Sequence, residues 1–212
     1  MRTTVKPTLH RLLSIALLGA TVALTLALSG CASDKAPANT TFDFGPAAMG
    51  AAPAGAGIGA VVITDVTGSA ALDSERMYYR LNYSDPLQFR AYSQSRWSAT
   101  PLQLITQRLK TRIAQSGAKA LNATDAAAGV PILRVEVDDF SHTFASPTQS
   151  EGQVVLRASL FTEHKLIDQK TFVRNTSAGS ANAAGGAQAL AASTDAIAAD
   201  MVAWLSTLRT RK

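Results

Sequence analysis

Very few residues of this 212-residue chain combine a reactive side chain with a usable spacing. The three histidines, His10, His142 and His164, are too scattered for a zinc constellation, so no metal and no cofactor is expected. Asp138-Asp139 is the only adjacent acidic pair, and neighbours on a strand point to opposite faces, so the two cannot share a site. No G-x-S-x-G elbow, H-E-x-x-H helix, P-loop or Rossmann fingerprint occurs. Gly55, Gly57 and Gly59 precede an apolar run rather than follow one, which is linker composition and not a phosphate loop. His142 and His164 read as surface or hairpin residues. An enzyme is not expected. One nucleophile is left, the single cysteine, Cys31.

Cys31 closes the stretch Leu28-Ser29-Gly30-Cys31. Arg2, Lys6 and Arg11 form a positive leader, and Leu12 to Leu28 is apolar apart from Ser14, Gly19, Thr21 and Thr25. A basic leader, an apolar run and two small residues make a secretory signal, here with Cys after the cut. This is the bacterial lipobox pattern, which directs diacylglycerol onto the thiol, cleavage before the Cys and acylation of the new amine. The alternative is an uncleaved membrane helix, and 17 threonine-studded residues are at the low edge for that. Residues 1–30 are thus expected to be a cleaved lipoprotein signal peptide, residues 31–40 the lipidated Cys31 and a flexible tether, and residues 41–212 one domain. Ala32 and Ser33 follow the cysteine and Asp34 comes third. In enterobacterial lipoproteins an Asp directly after the Cys favours the inner membrane, so its absence there predicts outer-membrane sorting, facing the periplasm.

Cleavage leaves 182 residues, with 17 Lys and Arg against 15 Asp and Glu, a net charge of +2. Without a basic block, no nucleic-acid partner is expected. With Cys31 acylated no disulfide can form, so the fold must rest on burial.

The elements follow from periodicity. Thr41-Phe42-Asp43-Phe44 alternates as a short strand, and Ala47 to Gly57 is loop composition. Ile58 to Val66 is β-branched and reads as a buried strand. Met77 to Tyr83 and Leu87 to Tyr92 form a hairpin about Ser84-Asp85-Pro86, with Leu87, Phe89 and Ala91 on one face. Thr100, Pro101 and Gln103 are a capping box opening a helix whose stripe is Leu102, Ile105, Leu109 and Ile113, stopped at Gly117. Arg108, Lys110 and Arg112 read as its solvated cover. A short strand at Lys119 to Asn122 is followed by three strands in a meander. Leu133, Val135 and Val137 share one face of the first, and Val154, Leu156, Ala158 and Leu160 are in phase on the second. The third pairs back through Ile167, Thr171 and Val173 after a turn at Glu163-His164-Lys165. The last helix, from Ala187 to about Leu208, gathers Leu190, Thr194, Ile197, Met201, Trp204, Leu205 and Leu208 on one arc. The expected fold is α+β: a mostly antiparallel sheet with two long amphipathic helices packed on one face.

Tyr79-Arg80-Leu81, then Tyr92, then Ser95-Arg96-Trp97, then Pro101 opening a leucine-bearing helix resemble the ABC-type transport auxiliary lipoproteins, the PqiC-like family. Phe42-Asp43-Phe44-Gly45-Pro46 is similar to the family's first strand, and Leu133 to Phe140, Val155-Leu156-Arg157-Ala158 and the closing helix follow its second half in order. The resemblance covers essentially the whole mature chain. It implies a non-catalytic lipoprotein held to the membrane by its lipid, accessory to an MCE (Mla-type) transport system that moves phospholipid or other hydrophobic molecules. The implied partner is the MCE-domain protein. Arg96 and Trp97, between hairpin and helix, are candidate partner-binding residues; the other reading of Trp97 is a buried plug. Direct carriage of lipid and a purely structural envelope role remain the alternatives, and self-association through the alanine-rich back of the last helix stays open.

Overall fold

The computed structural model describes residues 39–47, 58–125 and 128–209. The signal, Cys31 and most of the tether lie outside the described residues. In chain order the elements are β1 (Thr40–Phe42), β2 (Ala60–Ile63), β3 (Thr67–Gly68), a 3-10 turn (Ala70–Leu72), β4 (Arg76–Leu81), β5 (Asp85–Trp97), α1 (Pro101–Gln115), β6 (Lys119–Asn122), a 3-10 turn (Ala123–Asp125), β7 (Ile132–Phe144), β8 (Ser150–Thr162), β9 (Lys165–Ser177) and α2 (Ala183–Arg209).

β7 is the strand on which the rest is assembled. Its alternation buries Leu133, Val135 and Val137 and exposes Arg134, Glu136 and Asp138. It pairs antiparallel with β8, which pairs antiparallel with β9, so the meander forms as its periodicity predicts. On its other edge β7 pairs parallel with β2, with β3 and with β4. β1 lies parallel to β5, and β2 parallel to β6. The expectation of a mostly antiparallel sheet is therefore corrected. The nine strands of the described residues form one mixed, partly parallel sheet, in which among those residues β4–β5, β7–β8 and β8–β9 are the antiparallel pairs. The reason is physical: alternation along a strand reports which face is buried and is silent on the direction of the neighbour.

A bulge resets the phase of β7. Between Val137 and Asp139 the register with β8 shifts by one residue. Beyond it Phe140 stands opposite Val154 and His142 opposite Gly152, on the same side as Leu133, Val135 and Val137. His142 is fully buried, which corrects its expected surface position. A second shift, between Leu160 and Phe161, does the same to β9. There Phe172 is the buried residue, while Ile167 and Val173 stand about half exposed, so the inner face of β9 is the even-numbered one.

α1 forms as its cap predicts. The Thr100 side chain accepts from the Gln103 amide at 3.3 Å, and the Gln103 side chain accepts from the Thr100 amide at 3.3 Å. Ile105, Leu109 and Ile113 are fully buried, and Gly117 takes the left-handed φ of 86° that ends the helix without Cβ strain. Arg108 is not solvated cover. It is 5% exposed, donates to both carboxylate oxygens of Asp195 on α2 at 3.3 Å, and also donates to the Phe44 and Gly45 carbonyls. α2 lies over β8 and β9 through its predicted stripe, with Trp204 edge-on to Phe172 and donating to Asp168 at 2.9 Å.

Candidate functional site

β5 runs on past the expected hairpin arm to Trp97, so Ser95, Arg96 and Trp97 are its last residues rather than a connection. Alternation then sends Arg96 and Trp97 to opposite sides. Trp97 is 1% exposed, edge-on to Phe44 at 5.6 Å and against Phe140 at 5.7 Å. It is a core residue that sits beneath the surface on which Arg96 stands exposed. The two residues are adjacent in sequence and are not brought together at one surface.

Arg96 stands directly across the β4–β5 pair from Arg76. Both line a cleft of about 590 Å³ together with Asn39, Glu75, Tyr92, Ser93 and Ser95. Neither arginine has an ion-pair partner among the described residues. Like charges facing each other across a strand pair repel, and among the described residues lining the cleft the one carboxylate is that of Glu75. Two guanidiniums beside hydroxyl and amide side chains suit an anionic group, carboxylate or phosphate alike. Arg76 carried no signal in the sequence. Its position opposite Arg96 depends on the register shift between Arg76 and Tyr78, which no residue pattern announces.

Tyr92 connects the cleft to the core. Its hydroxyl is 2.8 Å from Nδ1 of His142, and its ring lies tilted against Tyr79 with centroids 4.6 Å apart. Burial, with a smaller contribution from Tyr79, raises the Tyr92 hydroxyl above its ordinary range, so it stays protonated. Burial alone pushes His142 down to about 4, so its ring is neutral at neutral pH. Its Nε2 has no partner among the described residues. No acid, base and nucleophile converge here. Among the described residues, no group of three or more His, Cys, Asp or Glu could hold a metal ion. Among the described residues the arrangement is one that can bind an anionic group.

A second cleft, of about 380 Å³, is mainly apolar and lies near the end of α2, between Ile58, Val61, Leu160, Ile167, Leu205 and Leu208. Cys31 lies outside the described residues, so its surroundings carry no geometry.

Residues 42–202 match the family model described as the ABC-type transport auxiliary lipoprotein component. No curated protein matches the chain. Among solved structures, the chain is similar to a Xanthomonas campestris protein of the DUF330 family, at 14% identity and a TM-score of 0.64, covering 84% of this chain and 91% of that one. It is also similar to a crystal structure described only as an uncharacterized protein, at 11% identity and a TM-score of 0.65, covering 79% of this chain and 98% of that one. At such identities the likeness is one of fold.

Proposed function

The chain belongs to the ABC-type transport auxiliary lipoprotein family, and on that premise we propose that it is a non-catalytic, periplasm-facing docking part of an MCE (Mla-type) transport system. Acyl chains on Cys31 hold it at the outer membrane, and the cleft beneath Arg96 receives the MCE-domain partner. The observation that carries the docking surface is the pair of opposed arginines, Arg76 and Arg96, with no ion-pair partner among the described residues. A protein gains no stability from such a pair, so its use is in what binds there. Trp97 serves the same surface from below, by fixing the end of β5.

Capture of the MCE-domain protein by purified variants tests this. Arg76→Ala with Arg96→Ala should leave the domain folded and lose capture, and wild-type capture should weaken with salt because the contact is ionic. Undiminished capture by the folded double variant would sink the proposal. Genes for an MCE protein and an ABC permease beside this one are expected, and their absence would count against the transport link. Cys31→Ala should fold and fail to support the envelope function, and full activity of that form would show the anchor to be dispensable.

A second reading, carriage of lipid by the domain itself, draws on the apolar cleft near the end of α2. Solvent extraction of the purified protein tests it, and a lipid-free extract would exclude it.

A further inference from the structure

Two groups of exposed apolar side chains lie at opposite ends of the sheet. One is Tyr83 and Leu87, at the β4–β5 turn, 48% and 89% exposed. The other is Leu166 and Ile167, beside the β8–β9 turn, each 48% exposed. β4 runs parallel to β7 and toward its own turn, whereas β8 returns antiparallel to β7 and turns beside the β7 start, so the two turns lie at opposite ends.

The direction of β1 gives the side from which the chain enters the sheet. β1 is parallel to β5, with Thr40 opposite Ser95 and Phe42 opposite Trp97. The chain therefore enters the fold from the side on which β5 begins, which is the side of Tyr83 and Leu87. Cys31 and Thr40 are nine residue steps apart, a reach of at most roughly 30 Å. The eight residue steps of β5 from Leu87 to Ser95 span about 27 Å at strand rise. The length of chain before β1 matches the distance to the hairpin tip.

The tip is braced in its outward position. The Asp85 carboxylate accepts from the Leu87 amide at 3.0 Å and from the Gln88 side chain at 2.8 Å. Arg80 donates to the Pro86 carbonyl at 3.3 Å and lies over the Phe89 ring at 4.5 Å. Behind that ring Tyr78 stacks at 4.4 Å. An exposed leucine and tyrosine with an arginine one step behind is the composition favoured at a bilayer interface, where apolar groups enter and the cation meets phosphate.

We propose that the β4–β5 hairpin tip is a second membrane contact, with Leu87 and Tyr83 set into the interface of the bilayer that holds the lipidated Cys31 and Arg80 at headgroup level. This rests on the lipoprotein reading above. Because acylation consumes Cys31, Leu87→Cys and Leu166→Cys each create one free thiol for a nitrobenzoxadiazole label on the lipidated full chain. The labelled proteins are reconstituted in vesicles of phosphatidylcholine and phosphatidylglycerol, and their emission is read with and without doxyl-labelled lipid. The label at position 87 should shift to the blue and lose intensity to the doxyl lipid, while the label at position 166 should do neither. Quenching at 166 and not at 87, or at neither position in protein that floats with the vesicles, would overturn the contact and leave the anchor standing. Protein that does not float would overturn the anchor and the contact together.

Discussion

The Tyr92 hydroxyl and Nδ1 of His142 lie 2.8 Å apart, which ties the floor of the Arg76–Arg96 cleft to a fully buried imidazole in the middle of the sheet. The folded protein keeps that ring neutral down to about pH 4, whereas an unfolded chain protonates it near its ordinary 6.5. Between those values the unfolded state binds more protons, so stability must fall as pH drops from 6.5 to 4 and rise as pH returns. The shift corresponds to about 3 kcal/mol at about 1.4 kcal/mol per unit. His142→Phe keeps the ring and removes the titration. The carboxylates are common to both proteins, so the difference between their urea-midpoint profiles should trace this window alone. Parallel profiles across pH 4 to 6.5 would show that His142 does not carry the effect.

Gly186 lies in the first turn of α2 and faces the same imidazole. A Cβ there would meet Nδ1 of His142 at 2.3 Å and Cγ at 2.6 Å. Replacing a helical glycine by alanine ordinarily stabilises by up to about 1 kcal/mol. Here the methyl would strike a ring already packed against Phe144 at 4.4 Å, so Gly186→Ala should destabilise by about 1–3 kcal/mol. In a His142→Ala background the methyl has room, and the sign should reverse. Chemical denaturation of the four proteins of this cycle reads the coupling, and additive effects would mean that the two positions do not touch.

Asp195 holds two arginines of α1 at once. It accepts from Arg108 at 3.3 Å and from Arg112 Nε at 2.8 Å. Arg108 is 5% exposed and Arg112 19%, so the two should not respond alike. Asp195→Ala leaves the buried Arg108 with carbonyl partners only and should cost about 3 kcal/mol, toward the lower end for a broken buried pair because Asp195 is itself 27% exposed. Arg112→Ala should cost less, about 1 kcal/mol, because Asp195 keeps Arg108 as its partner. Arg108→Met, which fills the space without the charge, should be milder than Asp195→Ala. Equal losses for Asp195→Ala and Arg112→Ala in urea titration would contradict the assignment of the buried pair.

The helices were the most legible part of the chain. Thr100-Pro101-x-Gln103 is a cap that forms by itself, and a stripe such as Ile197, Met201 and Trp204 depends only on helical period. Leu133 to Val137 and Val154 to Leu160 were legible for the same reason at period 2. His142 was not, because one bulge after Val137 moved it from the face of Arg134 and Glu136 to the face of Leu133. Phe172 escaped by the bulge at Leu160, and because its strand turns Asp168, Arg174 and Thr176 inward to Trp204, Asp200 and Ser193. Arg108 read as surface since its compensation comes from Asp195, far along the chain. At the candidate site Arg96 could be singled out and Arg76 could not, since their meeting is a matter of register.

Arg76 and Arg96 provide the sharpest separation of fold from function. Both are exposed and face each other across β4 and β5 without an ion-pair partner among the described residues. If their role is to hold the fold, removing either must cost stability. If it is to receive an anionic partner, removing one relieves a repulsion. Arg76→Gln should therefore raise the urea midpoint slightly, by about 0.2–1 kcal/mol at low ionic strength, with the gain vanishing as salt screens the pair. The same change should weaken capture of the MCE-domain protein. Trp97→Ala gives the opposite signature, a loss of about 3–5 kcal/mol from an emptied core position, with any loss of capture following from unfolding. A destabilised Arg76→Gln would return the pair to a structural role and remove the reason for placing the partner in this cleft.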